Sequence, residues 1–305
     1  MQAAGHIELV RLPSNRGFPG AVNAGLLACA GRDIVLLNSD TLVPPGWLGR
    51  LRDAAYAAPD ISTATPLSND AAILSYPNPS GGNTVPDAAA CAATDRLVQL
   101  ANGRQVIEIP TGVGFYLYLR RDCLAQVGVF REDVFAQGYA EENDFCLRAR
   151  ALGWRHVAAA GVFIVHVGGQ SFGKARDHLL RRNLAILNRL HPGYDALIAQ
   201  HIAADPLAPH RRWMDERGWV AGQQNQAAVL VTHAGGGGVD VVIAYRCATL
   251  HEAGSRPIVL RPASGGCQLD DTAYPNLRYA IPEEIPALSR LLEQKSINLV
   301  HSQLR

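Results

Sequence analysis

Ile34-Val35-Leu36-Leu37 is an unbroken apolar run, entered from Asp33 and closed by Asn38-Ser39-Asp40. A short run of this kind, bounded by polar residues, predicts a strand buried on both faces, as in a parallel sheet. The segments around it alternate in character. Ala21 to Ala30 is rich in Ala and Leu and predicts a helix stopped by Gly31, while Pro44-Pro45-Gly46-Trp47 opens a second helix reaching about Ala57. Ile61 to Pro66 predicts the next strand, and His6 to Leu12 a short strand before the turn cluster Pro13 to Gly17. Strand and helix in alternation predict an α/β layer fold.

The pattern continues as a helix over 88–101, a strand over 111–119, a short helix over 121–127, an amphipathic helix over 141–152, a strand over 157–167 and a helix over 177–190. Ala221 to Gln226 is polar and reads as a linker. Beyond it a fresh βαβ opening appears: a strand at 228–232, the glycine run Gly235 to Gly238, a helix over 239–253 and a strand at 256–260. With 305 residues, about two domains are expected.

Composition narrows the partners. A formal net charge of +1 supplies no general attraction to nucleic acid or to an acidic membrane surface. The six cysteines show no CxxC spacing and predict reduced thiols. The first residues carry neither a basic nor a long apolar region, and no run reaches the ~18 apolar residues of a membrane span, so a soluble cytoplasmic protein is expected.

Three places carry candidate chemistry. Asp40 stands at the C-terminal end of a predicted strand, where open α/β sheets bind ligands and where a carboxylate can hold a divalent cation on phosphates; an isolated Asn-Ser-Asp is more often a turn and helix cap. Glu141-Glu142-Asn143-Asp144 crowds three carboxylates into a first helical turn, which raises a pKa but also suits the helix dipole. The preceding Phe135-Ala136-Gln137-Gly138-Tyr139 is an aromatic, glycine-bearing loop that would set those carboxylates beside a cleft. His166 ends a strand before Gly168-Gly169 and is either a neutral imidazole ligand or a hydrogen-bonded core residue. The Gly235–Gly238 run has the geometry for an anion at a helix N-terminus, but no Gly-Lys-Ser/Thr follows and Asp240 breaks a dinucleotide fingerprint.

Taken together, Asn15-Arg16-Gly17-Phe18, Ala21 to Gly25, Leu36 to Thr41, Phe135 to Arg148, Gly153-Trp154-Arg155 and His166 to Gly173 resemble the family 2 glycosyltransferases of the GT-A fold. The resemblance runs from about residue 8 to about residue 190. It implies a mostly parallel GT-A-like sheet, incomplete at its N-terminus because the family's first nucleotide-binding strands precede the segment matched here. It also implies that Asn38-Ser39-Asp40 is the DxD-type motif, with Asp40 and His166 as ligands of Mn²⁺ or Mg²⁺. Glu142, with Glu141 beside it, is implied as the general base. Asn15, Gly17 and Asn23 are implied on the nucleotide side, and Gly112, Val113 and Gly114 beside the donor sugar.

Val229 to Val239, Gly254 to Leu260 and Leu299-Val300-His301 resemble the opening of a family 4, GT-B glycosyltransferase, a partial Rossmann-like half-domain. The expected organisation is therefore 1–190 GT-A-like, 191–226 a helical extension and linker, and 227–305 a partial GT-B-like domain. The implied activity is metal-dependent inverting transfer, of the hexosyltransferase type, in surface-polysaccharide or O-antigen synthesis. The implied partners are a UDP- or dTDP-linked donor and a glycan or lipid-linked oligosaccharide acceptor, with no nucleic acid. The basic helix face at Arg181, Arg182 and Arg189 reads first as a solvated face, with a peripheral contact at the inner face of the cell membrane as the alternative. The alternative is a truncated, inactive remnant that binds glycan or a partner protein.

Overall fold

A computed structural model describes residues 8–135, 137–168, 176–222, 227–232, 238–271, 273–294 and 297–302. Of the expected features, His6, Ile7, Ala136, Gly169 to Gly173, Gln223 to Gln226 and Gly235 to Gly237 lie outside these residues. The chain forms two compact units, Met1–Pro206 and Leu207–Arg305.

The first unit runs α1 (Gly17–Ala28), β1 (Ile34–Leu37), β2 (Thr41–Leu42), α2 (Trp47–Ala55), β3 (Ile61–Ser68), a 3₁₀ turn (Ala72–Leu74) and α3 (Ala88–Asn102). It continues with β4 (Val106–Ile109), β5 (Tyr116–Leu119), α4 (Arg121–Val127), α5 (Glu132–Phe135), α6 (Glu141–Ala151), β6 (Arg155–His166), α7 (Arg176–Leu190) and α8 (Tyr194–Ala204). Its sheet has the order β1-β5-β3-β6-β2, with β4 also on β6.

Both faces of that sheet are covered, and the period-2 alternation of strand side chains is visible in the packing. On β5, Tyr116 and Tyr118 join Leu51, Ala54 and Ala55 of α2, while Leu117 and Leu119 join Leu26 of α1 and Phe145, Cys146 and Ala149 of α6. Val35 and Leu36 of β1 divide the same way. Ile34–Leu37 is a strand with helices packed on both faces, but the expected full burial is not met: Leu36 is buried, Ile34 and Val35 are partly buried and Leu37 is exposed.

Its direction also departs from expectation. β1 pairs only with β5 among the described residues, and antiparallel. Of the sheet's pairings only β3 with β6 is parallel; β5 with β3, β2 with β6 and β4 with β6 are antiparallel. The expected mostly parallel sheet is therefore a mixed one. Two further expectations fail locally. Residues 8–12 form no strand, because Leu9 and Val10 stand exposed with no ladder partner. The strand expected over 111–119 begins only at Tyr116.

β6 carries a bulge that shapes the unit. Pro66 pairs with Ala159 but Leu67 with Phe163, so Ala160, Gly161 and Val162 leave the ladder. Their backbone is taken up by α2, α3 and the turn after it. The Ala160 N–H donates to Gln105 O (3.1 Å), Asn102 Nδ2 to Ala160 O (2.9 Å), Arg50 to Gly161 O (2.8 Å), and the Phe163 N–H to Asp95 Oδ1 (3.0 Å). Asp95 is in turn paired with Arg50 at 2.7 Å. Beyond the bulge β6 resumes pairing and delivers His166 to the end of the sheet.

The second unit contains α9 (Ala208–Ala221), β7 (Ala227–Val231), α10 (Gly238–Glu252), β8 (Arg256–Ala263), β9 (Gly266–Asp270), β10 (Arg278–Ala280), α11 (Ile285–Glu293) and β11 (Ile297–Ser302). The sheet order is β10-β9-β8-β7-β11, parallel across β8, β7 and β11 and antiparallel across β8, β9 and β10. The βαβ unit expected from the sequence is present. Ile243 of α10 packs with Leu230 and Val259 on one face; Trp219 of α9 and Leu288 and Leu291 of α11 pack with Val229 and Ile258 on the other. Ala221, expected to open a linker, instead closes α9. The six cysteines are unpaired. No helix among the described residues is long and apolar enough to cross a membrane.

Candidate active site

Asp40 and His166 are brought together by the short ladder between β2 and β6. β1 ends at Leu37, and the Asn38 N–H donates to Phe115 O (2.9 Å) while the Thr41 hydroxyl donates to Asn38 O (2.7 Å), closing a turn. Thr41 then pairs with His166, and the Val167 N–H donates to Asp40 O (2.9 Å). This sets His166 Nε2 at 3.5 Å from Asp40 Oδ2, with both side chains largely buried.

The histidine is braced further. Its N–H donates to Asn69 Oδ1 (2.8 Å) and its carbonyl accepts from Asn69 Nδ2 (2.9 Å). The Phe115 ring stacks on the imidazole, centroids 3.9 Å apart and planes 17° from parallel. Asp70 borders the same spot: a Cβ built on Gly168 would stand 3.3 Å from Asp70 Oδ2 and 3.9 Å from His166 Nδ1. Asn69, Asp70 and Phe115 were not expected from the sequence. The signal was there for two of them, since Ser68-Asn69-Asp70 closes β3 with the same polar ending that marked Asn38-Ser39-Asp40.

His166 Nδ1 is buried without a hydrogen-bond partner, an unusual state for a polar atom. A carboxylate oxygen and an imidazole suit Mn²⁺ or Mg²⁺ in part, the imidazole favouring the former. Among the described residues no group of three or more His, Cys, Asp or Glu side chains could hold a metal. Asp40 and His166 alone would therefore supply only part of such an ion's donor set.

The carboxylates of α6 divide into different roles. Asp144 is fully buried and accepts from Arg131, from Arg148 (2.9 Å) and from His191 (2.8 Å). Burial pushes its carboxyl up, but those partners outweigh it and hold it below the ordinary range. Asp144 is a structural anchor. Glu141 is 3 % exposed and its Oε2 has no partner. Burial, then the neighbouring Glu142 charge, pushes its carboxyl well up. Burial pushes Glu142 up as well. α6 itself is held by His156, whose Nε2 hydrogen-bonds to Cys146 O (2.9 Å) while Nδ1 meets the Thr63 hydroxyl (2.8 Å); burial lowers His156 to about 4, so the ring is neutral. The helix start is strained. Tyr139 and Ala140, neither of them glycine, have φ of 72° and 74°, each costing of order 1 kcal/mol or more.

The state of Glu141 makes a stability prediction. A carboxyl whose folded pKa lies above its unfolded one supports the fold below the unfolded pKa and loses that support as pH rises through the folded pKa. At neutral pH, Glu141→Gln should therefore raise stability by about 1–3 kcal/mol, by removing a buried acid whose Oε2 has no partner. Thermal melts at neutral and mildly acidic pH check this: the gain should shrink in acid, and a loss of stability at neutral pH would contradict it.

One loop joins the two halves. Gly112 donates its N–H to Cys146 Sγ (3.3 Å), and a Cβ on Gly114 would stand 3.3 Å from both Cδ and Cγ of Glu142. The next residue, Phe115, is the ring stacked on His166. Consecutive residues thus touch the candidate base and the candidate metal-side histidine.

The remaining expected residues lie around α1. Asn15 is exposed and its Oδ1 accepts from the Gly17 N–H (2.9 Å), with Gly17 at φ 69°, so the pair starts the helix. Asn23 is buried and uses both ends of its amide on Phe130, donating to O (2.8 Å) and accepting from N–H (2.9 Å). Ser39 is exposed and Val113 partly buried in the joining loop. A separate open cleft of about 580 Å³, lined by Arg50, Tyr56, Gln99 and Arg104 among others, contains none of the candidate residues.

Residues 1–127 match the family described as Glycosyl transferase family 2. Over these residues the chain is thus similar to glycosyltransferase domains of that family. Its mixed α/β architecture with a multi-stranded sheet agrees with a GT-A-like fold. No curated protein matches the chain. Among solved structures, it is similar to the mannosyltransferase PcManGT from Pyrobaculum calidifontis in complex with GDP-Man and Mn2+, at 19% identity and a TM-score of 0.41. That alignment covers 80% of this chain and 63% of the archaeal one.

Proposed function

We propose that the glycosyltransferase domain moves a sugar, with inversion, from a nucleoside diphosphate donor to a hydroxyl of a glycan or lipid-linked oligosaccharide in surface-polysaccharide synthesis. The observation that carries this reading is the joining loop, where Gly114 lies against Glu142 and Phe115 against His166. A base and a metal-side pair held by one short loop suit a reaction in which an acceptor and a diphosphate meet at one carbon.

Glu142 takes the proton of the acceptor hydroxyl as its oxygen bonds to the anomeric carbon, and the bond from that carbon to the diphosphate oxygen breaks with its electron pair. Burial keeps Glu142 basic enough for the task. Asp40 and His166 would hold Mn²⁺ or Mg²⁺, which when bound neutralises charge on the departing diphosphate. Asn38, Ser39 and Gly112 to Gly114 flank these groups and would line the donor, UDP- or dTDP-linked, with Asn15, Gly17 and Asn23 shaping its nucleotide side. The second unit, with parallel β8, β7 and β11 and α10 between β7 and β8, is read as the opening of a GT-B-like half-domain.

The test is ligand-dependent melting of the full chain with UDP, dTDP and GDP and their sugars, with and without Mn²⁺. At about 100 times Kd, binding adds about 2.7 kcal/mol, or about 5 °C or more in Tm. Asp40→Asn should remove the Mn²⁺-dependent part of the shift. If no nucleotide shifts the wild-type protein under any metal condition, the reading fails.

A further inference from the structure

The start of α6 holds Glu141 and Glu142 on a backbone that its own residues do not favour. Tyr139 and Ala140 are both left-handed, and Ala140, at the helix N-cap, offers no side-chain hydrogen bond to the first turn. Something outside this segment must hold it. Asn183, in the middle of α7, is fully buried on the same helical face as Leu184 and Leu187. A buried amide on an apolar stripe is costly unless its polar atoms are used. The two N–H groups of its Nδ2 are shared among Gly138 O (2.6 Å), Tyr139 O (3.1 Å) and Phe135 O (3.2 Å), and its Oδ1 accepts from Arg182 (2.8 Å). Around this contact Leu187 packs with Phe135 and Ala140, and His191, just beyond α7, reaches Asp144. The acidic segment is thus clamped on both sides of Glu141 and Glu142, by Asn183 before them and by His191 after them.

We propose that Asn183 is a positioning residue for transfer: its amide gathers the carbonyls of the strained turn and so aims the Glu142 carboxylate. The inference rests on the reading of Glu142 as the base. Asn183 touches neither Glu142 nor any donor-side residue in the hydrogen bonds described, so its effect is on the chemical step and not on donor binding.

The experiment compares the wild-type chain with Asn183→Ala and Asn183→Ser by release of nucleoside diphosphate from a panel of UDP-, dTDP- and GDP-sugars, with kcat and donor KM separated. Amide hydrogen exchange over residues 138–143 is followed in the same proteins. In Asn183→Ala, kcat should fall by about 100-fold with donor KM within about threefold, and the turn amides should exchange faster. Asn183→Ser, which keeps one short donor, should recover part of both effects. If Asn183→Ala does not fold, the serine variant is read against wild type by the same two measures. A kcat within about twofold of wild type in a folded variant, or a loss carried by KM, would overturn the proposal. If the wild-type chain itself releases no diphosphate from any donor, the transferase reading is what fails; unchanged exchange at 138–143 would then still overturn the clamp.

Discussion

Replacing Glu142 with glutamine should lower glycosyl transfer by about 10²–10⁴-fold while leaving nucleotide-sugar binding intact. The substitution keeps the shape of the side chain against Gly114 and removes only its ability to accept a proton. The pH profile gives a second reading of the same residue. Burial raises the Glu142 carboxyl, and a base acts only when ionised, so wild-type activity should climb with pH through a range above that of an ordinary carboxylate. The glutamine variant should lack that limb. Turnover and ligand-dependent melting, measured on the same preparation, check both halves of the expectation. Unchanged turnover would remove Glu142 from the mechanism.

The second large effect is on stability. Gly161 stands in the bulge of β6, and a Cβ there would run into the carbonyl oxygen of Gly103, a backbone atom at the end of α3 that has no flexible side chain to give way. Gly161→Ala should therefore push α3 off the bulge, disturbing the bonds from Asn102 and Arg50 to the carbonyls of Ala160 and Gly161. A loss of about 3 kcal/mol or more is expected, with Tm lower by roughly 6–12 °C. Gly25→Ala is the contrast. It lies inside α1 with open space around its would-be Cβ, so alanine should be neutral or stabilise by up to about 1 kcal/mol. Equal melting of the two variants would contradict this picture of the bulge.

Much of this was legible in the residues. The apolar run Ile34–Leu37, the helix breaks at Gly31 and Gly153 and the fresh βαβ pattern after residue 227 all mark real elements, because local periodicity and punctuation decide them. Strand direction was not legible. β1 has the composition of a parallel strand because both its faces are covered, and that cover comes from α1 and α6 on one side and α2 on the other, whatever the direction of β5. The strand expected over 111–119 was shortened by a tertiary demand: Gly112 to Gly114 must approach Cys146 and Glu142 closely, which a regular ladder does not allow. Ala221 to Gln226 read as a linker because it is polar, yet Trp219 just before it is buried in the core of the second unit, an anchor that no local pattern announces. At the site, Asp40, Glu142 and His166 stood out by residue type and position. Phe115 did not, since bracing a histidine by a ring is a property of contacts far apart in sequence, and the polar ending that marks Asn69 does not by itself say that its amide braces His166.

The stack of Phe115 on His166 also makes the site observable. An aromatic ring lying face to face at 3.9 Å shields the carbon-bound protons of the imidazole beneath it, so their NMR lines should fall upfield of those of an ordinary histidine. Among the described residues His210 also meets a ring, that of Trp213, but edge-on, so the face-to-face stack sets His166 apart. Any event that turns the imidazole or lifts the joining loop would move those lines back, giving a spectroscopic reading of site assembly that needs neither donor nor acceptor turnover.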